Sequence, residues 1–310
     1  MAYARNPRRR RAAPRRRSNF RRKTVYRRKK TTRVSRPLRK KILKVSAVKK
    51  VNTMAATTTA EATTPTGFID LPNFLNGIIW CPTYMNLEQS AITPHARQRE
   101  TILFRGLVDK WIVQSGDWAD IYHRRIVFWH DARIAAAIPV QSTFSDSTFF
   151  RPLNLLDFTT GDGAVLLRTV FKGTQDVDWR NILNAKVDTT RIKIVSDKTR
   201  KVRSAVAHTA QDASTTDPRI YPTGTARYNS AHFPNRMIRF DDEETGAFDR
   251  QDDPDASQGS PWATLRGGSA GNLYVFDLFS VNASSESTAL PVELLTPTIH
   301  VDSSVYWHEK

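Results

Sequence analysis

The sequence predicts an all-β sandwich with long loops and one short helix, preceded by a basic N-terminal arm. Three observations lead there. Apolar stretches beyond Gly67 are short, rich in branched and aromatic residues, and separated by Pro, Gly, Asn, Asp and Ser clusters, the pattern of strands and turns. Their connections are long and uneven, which favours a sandwich over a barrel of tight hairpins. Strand candidates do not alternate with helical segments, so a doubly wound α/β fold is disfavoured.

The arm comes first. Residues 1–60 hold 23 Lys and Arg and no acid, and the first acid is Glu61. The other 250 residues hold 25 basic and 30 acidic side chains, so the net charge of +18 belongs to the arm and the body stands at −5. The cations fall in blocks: Arg8, Arg9, Arg10 and Arg11; Arg15, Arg16 and Arg17; Arg21, Arg22 and Lys23; Arg27, Arg28, Lys29 and Lys30. Such blocks repel one another and stay extended without a partner. Two readings remain open for residues 35–51. Ser35 as cap, Pro37 in the first turn, and Leu38, Ile42, Val45 and Val48 at helical spacing describe an amphipathic basic helix; a solvated coil with incidental aliphatic residues fits as well. We therefore place the arm at 1–51, a Thr/Ala linker at 52–66, and the folded domain at 67–310.

In that domain Leu107 to Gln114, Ile126 to Trp129, Ala164 to Phe171, Thr189 to Val195, Arg236 to Phe240 and Leu273 to Val281 read as strands. In the last of these, bulky apolar residues alternate with Asp277 and Ser280. Ile299, Val301, Val305 and Trp307 suggest a terminal strand. The one helix is expected from a cap at Asp176 or Asp178 through Trp179, Ile182, Leu183 and Ala185.

Chemistry is concentrated in the arm. Each Lys or Arg set against a phosphate releases a condensed counterion, so such an arm suits a polyanion without reading its sequence. Phe20 and Tyr26 among the arginines offer stacking for unpaired bases, which favours a single strand. The same blocks suit a nuclear import signal. A second cluster, Lys198, Arg200, Lys201 and Arg203, faces the same polyanion or is only a solvated loop after the strand. Eight acids lie within residues 241–255 but lack the spacing of a calcium loop; they read as an exposed acidic loop.

Enzymatic signals are weak. Gly267-Gly268-Ser269-Ala270-Gly271 matches G-x-S-x-G in form, but a strand rather than a helix follows, so a turn is preferred to a nucleophile elbow. His123, His130 and Asp131 lack a third partner and a metal-binding motif, and read as ordinary core or surface residues. Nothing matches a phosphate-binding glycine loop. No catalytic residue, metal site or cofactor is expected. The single Cys81 excludes an intrachain disulfide and a zinc site built from several thiolates. The longest apolar run, Ile134 to Val140, is far short of a membrane helix. With no signal peptide at the N-terminus, a reduced intracellular setting is expected, and the sequon at Asn282 has no role there.

Several stretches together resemble the capsid proteins of genomoviruses, related to those of geminiviruses, among the circular single-stranded DNA viruses. They are Arg105 to Trp111, Arg124 to Trp129, Asp178 to Leu183 running into Thr190 to Ile194, Asn272 to Phe276, and Ile299 to Trp307, behind the Arg/Lys arm and Thr/Ala linker. The resemblance implies an eight-stranded jelly roll and a small icosahedral shell of T=1 symmetry, hence 60 identical copies. It also implies packaging of circular single-stranded DNA, and entry to the host nucleus through an import receptor. Virion and host nucleus are the implied locations, with no integral membrane association. Sixty arms would carry about 1,400 cations against on the order of a thousand phosphates. Geminivirus capsid proteins often carry Cys and His in a zinc-finger-like arrangement, and with Cys81 alone that feature does not transfer. The alternative is a cellular nucleic-acid-binding protein with a basic tail on a β-rich domain.

Overall fold

The computed structural model describes residues 47–58, 67–87, 96–115, 120–130, 134, 143–145, 148–158, 161–203, 224–240, 261–264, 268–281 and 296–309. The chain divides into Met1–Val45 and Ser46–Lys310, and every element below belongs to the second unit.

Twelve strands are described: β1 (Val48–Thr57), β2 (Ile69–Asp70), β3 (Leu75–Trp80), β4 (Thr101–Gln114), β5 (Asp120–His130), β6 (Thr143–Ser145), β7 (Thr148–Pro152), β8 (Lys193–Arg203), β9 (Thr225–His232), β10 (Arg236–Arg239), β11 (Asn272–Val281) and β12 (Thr298–Glu309). One helix is described among these residues, α1 (Gly161–Val170), between β7 and β8. The long strands form two antiparallel sheets. In the first, β1, β12 and β4 lie side by side, and β9 and then β10 line the far edge of β4. In the second the order is β3, β11, β5, β8. With the two-residue β2 set aside, the first strand β1 lies beside the last, β12, and the next, β3, beside the next-to-last, β11, the connectivity of a jelly roll, two Greek keys folded face to face. Strand β7 adds to β1 in parallel over three residues, and β6 follows it.

The sheets differ in how they meet solvent. Along β12, Ile299, Val301, Ser303, Val305, Trp307 and Glu309 are buried while their neighbours are more open, the alternation of a strand with one face in a core. Every residue of β11 is buried, because the second sheet is covered on both faces. Its inner face meets the first sheet. Its outer face carries Ile126, Phe128, Tyr274, Phe276 and Leu278 against Leu166, Leu167, Val170 and Phe171 of the α1 region and Ile182, Ala185 and Val187 beyond it.

A bulge keeps β4 in phase. Opposite Tyr306 and Trp307 the register slips by one residue, so Ile102 and Phe104 point inward before it and Leu107, Asp109, Trp111 and Val113 after it. Gly106 sits at the slip with φ of 156°, and a Cβ there would fall 2.1 Å from the His232 carbonyl oxygen. Only glycine fits.

Four sequence expectations are corrected. Ala164 to Phe171 is helix rather than strand: Gly163, Leu166, Leu167 and Val170 are buried at helical spacing, and the branched residues disguised it. Asp176 to Ala185 is a chain of turns rather than a helix. Asp176 adopts φ of 64°, a left-handed conformation that no L-residue helix continues through. The Asp178 carboxylate accepts from the Thr174 amide at 2.7 Å, and Trp179 Nε1 donates to the Lys172 carbonyl at 3.2 Å. The body also begins before the Thr/Ala composition suggests. Val48–Thr57 is strand β1, with Met54, Ala56 and Thr57 buried, so the linker cannot start at 52. The same strand ends any helix before Val48, and the rest of 35–51 up to Ser46 lies outside the described residues. The strand expected at Thr189 to Val195 begins only at Lys193 and runs on to Arg203.

Candidate nucleic-acid interface

The arm residues from Arg8 to Lys30, Phe20 and Tyr26 among them, lie outside the described residues, as do the acidic 241–255 segment, Asp131 and the Asn282 sequon. Lys50, one of the 23 early cations, is buried in β1 instead. Its Nζ pairs with Glu309 Oε2 at 3.1 Å and donates to the Ala96 carbonyl at 2.8 Å.

The second basic cluster lies on β8, not on a loop after it. Because strand side chains alternate, its four cations divide between two faces. Lys201, on the outer face, pairs with Asp120 at 2.7 Å; that hydrogen bond pushes the ammonium pKa up. Its neighbour on that face, Asp197, holds Arg124 by two bonds of 3.0 and 2.7 Å. Arg203 is exposed and stands opposite Asp120 in the ladder. Lys198 and Arg200, on the inner face, stand opposite Arg125 and His123 of β5. Arg200 lies 4.9 Å over the Tyr228 ring of β9 and donates to the Asn229 carbonyl at 3.5 Å, bridging the two sheets at their open edge.

Behind this edge a belt of buried charge crosses the sandwich. The Arg151 guanidinium donates to Asp277 Oδ2 and Ser303 Oγ and pairs with Asp109 Oδ2, each at 2.9 Å, and stacks 4.7 Å from Trp80 and 5.1 Å from Trp111. Arg125 also donates to Asp109. His123 bonds through Nε2 to Asp277 Oδ1 at 2.8 Å and through Nδ1 to the Tyr228 hydroxyl at 2.5 Å. Burial alone would raise the Asp277 carboxyl, but Arg125, His123 and Arg151 together hold it well below the usual carboxylate range. Burial lowers His123 despite Asp277, so the ring is neutral at pH 7: Nε2–H donates to the carboxylate, and Nδ1 accepts from the hydroxyl. Two arginines then balance two aspartates.

The sequence reading missed this belt, although a signal was present. Asp109 lies two residues from Leu107 and Trp111, and Asp277 two from Val275 and Phe279. Each is in phase with apolar residues that face inward. Period-2 alternation therefore put Asp277 inside, not outside as its polarity suggested.

Other candidates resolve locally. Ser269 Oγ accepts from the amides of Arg239 at 3.3 Å and Gly271 at 3.4 Å, in a turn leading to β11. Cys81 is buried, and burial raises its thiol to about 12, far from a reactive thiolate. No three His, Cys, Asp or Glu among the described residues gather to hold a metal ion. No described helix is long and apolar enough to cross a membrane.

No family model and no curated protein matches the chain. Among solved structures, VP1 of Trichodysplasia spinulosa-associated polyomavirus in complex with GM1 oligosaccharide aligns at 8% identity, over 85% of this chain and 78% of that one, with a TM-score of 0.09. Merkel cell polyomavirus VP1 in complex with GD1a oligosaccharide aligns at 9% identity, over 84% and 78%, also at 0.09. Such scores carry no argument, and the jelly roll rests on strand connectivity.

Proposed function

We propose that this chain is the subunit of a small icosahedral viral shell that packages circular single-stranded DNA, as the capsid proteins of genomoviruses do. The observation that carries this reading is the segregation of charge. Twenty-one of the 23 early cations precede the first strand, no acid lies among them, and the body that follows is net acidic. Sixty such arms hold about 1,300 cations, enough to neutralise on the order of a thousand phosphates by counterion release. The net-acidic body limits adventitious nucleic-acid binding. A jelly roll supports the reading because its long end loops leave surface for contacts between copies. An import receptor reading the same arm brings the chain to the host nucleus, and the virion is its final location.

Negative-stain microscopy of the purified protein, with and without circular single-stranded DNA, tests the assembly. Megadalton shells are expected, with log affinity for DNA falling steeply and linearly with log salt. A monomer or small oligomer under all conditions overturns the shell and leaves a cellular nucleic-acid-binding protein.

A further inference from the structure

Between the edge strands β8 and β9 lies a cleft of about 40 Å³, larger than a single water requires. Its lining is Arg125, Lys198, Arg200, His232, His123 and two serines, Ser196 and Ser230, with the Ala231 backbone. Alternation explains the composition: residues 123 and 125 of β5, 196, 198 and 200 of β8, and 230 and 232 of β9 all point into the gap. None of the lining side chains is a carboxylate. Asp109 and Asp277 stand behind it, engaged by Arg151, Arg125 and His123.

The cleft holds donors with nothing to donate to. Arg125 is 4% exposed, and its Nε and Nη1 make no hydrogen bond; Nη1 comes no closer to Asp277 than 3.7 Å. His232 Nε2 is also buried without a partner, and it is a donor in the Nε2–H tautomer of the neutral ring. An orphaned buried donor costs about 1–3 kcal/mol, more when charged, so several around one opening describe an absent acceptor. Lys198 and Arg200 at the mouth add positive charge without a carboxylate partner among the described residues. A neutral occupant would satisfy donors but leave that charge uncompensated.

From this geometry we infer that the cleft between β8 and β9 is a binding site for a phosphate-class oxyanion, held by Arg125, Lys198, Arg200, His232 and the hydroxyls of Ser196 and Ser230. The anion is inorganic phosphate or one phosphate of a nucleic-acid backbone, since both present the same oxygens. The site does not depend on the packaging reading, because free phosphate would occupy it in a protein that never meets DNA. Occupancy ties β8 to β9 and so closes the edge where the two sheets are otherwise bridged by Arg200.

The experiment is thermal unfolding of the full chain at fixed ionic strength. Sodium phosphate, a short oligothymidylate, or sodium chloride is titrated into the wild type, Lys198→Gln and His232→Gln. Lys110→Gln, an exposed β4 cation, is the control for general charge. At phosphate about tenfold above Kd the wild-type midpoint rises by about 3–5 °C over chloride. Lys110→Gln keeps that rise, and Lys198→Gln and His232→Gln each lose most of it. A rise with oligothymidylate that depends on Lys198 and His232 identifies backbone phosphate as a source; a rise with inorganic phosphate alone identifies the free ion. Phosphate no better than chloride, or a rise that survives in both Lys198→Gln and His232→Gln, overturns the site. Because the arm is intact in every variant, a failure here leaves the DNA affinity and the shell unaffected.

Discussion

Strand β11 passes through two environments within three residues. At Val275 it lies among Phe104, Val127, Trp129, Val305 and Trp307, an apolar cluster whose charged neighbours, Arg97, Lys50 and Glu309, sit only at its margin. At Asp277 it meets two arginines and a histidine, and at Phe279 it is apolar again, stacked on His123 with ring centroids 4.3 Å apart. The two regions specify different things. Alternation fixes which face a residue takes, but a slip of two residues preserves every face. Such a slip of β11 along β5 would set Asp277 opposite Val127 in place of Arg125. The apolar half tolerates exchange among shapes of similar volume, whereas a displaced charge leaves several others uncompensated. The belt thus fixes the register that apolar patterning leaves open.

The largest expected effect comes from breaking the belt. Asp277→Leu strands Arg151 and Arg125 and lowers unfolding stability by about 3–5 kcal/mol, read from urea midpoints. Adding Arg151→Met to it costs less than the sum of the two single changes, with a coupling of about 0.5–3 kcal/mol. Additive costs would mean that the two groups do not act together.

A smaller effect separates the regions by pH. The folded imidazole of His123 titrates below its ordinary 6.5, and burial followed by the Arg125 charge lowers His232 to about 4. As pH falls through about 6.5 the unfolded chain gains protons that the folded chain refuses, so stability falls between about pH 6.5 and 4. Below the ordinary carboxylate value of 3.8 the Asp277 contribution is lost as well. Thermal midpoints measured from about pH 8 to about 3 should decline in this order, and His123→Gln should make the decline below about pH 6.5 shallower. An unchanged slope in that variant would remove His123 from the account.

The smallest effect lies in the apolar half. Ile238→Val removes one buried methylene and costs about 1 kcal/mol, with the pH slope of the wild type preserved. A steeper slope would show that the two regions are not separate.

Much of the fold was legible because alternation and turn chemistry are local. Leu107 to Gln114, Ile126 to Trp129, Leu273 to Val281 and the run from Ile299 to Trp307 each lie within a strand. What was misread involved partners distant in sequence. Met54 and Ala56 look like linker residues until β12 and β7 pair with their strand. The Ala164 to Phe171 segment is branched enough for a strand, but the outer face of the second sheet needs a covering layer. For the candidate interface, the composition of β8 was visible, while its division between two faces required knowing that residues 193–203 are extended. The orphan donors of Arg125 were not legible at all, since they depend on what the neighbouring strands fail to supply.

The pairing of β1 with β12 also sets a timetable. Thr53 and Ser304 touch across the ladder at 3.1 Å although 251 residues separate them, and β12 lies between β1 and β4 in the first sheet. On a ribosome, β1 and β4 emerge early with an unfilled slot between them, and that slot stays open until residues 298–309 leave the exit tunnel. The second sheet, whose strands end at Val281, can pair sooner. Closing so distant a contact is slow, and unpaired strand edges are exposed to neighbouring nascent chains in the meantime. Chaperone demand on this chain is therefore expected to fall on the edges that wait for β12.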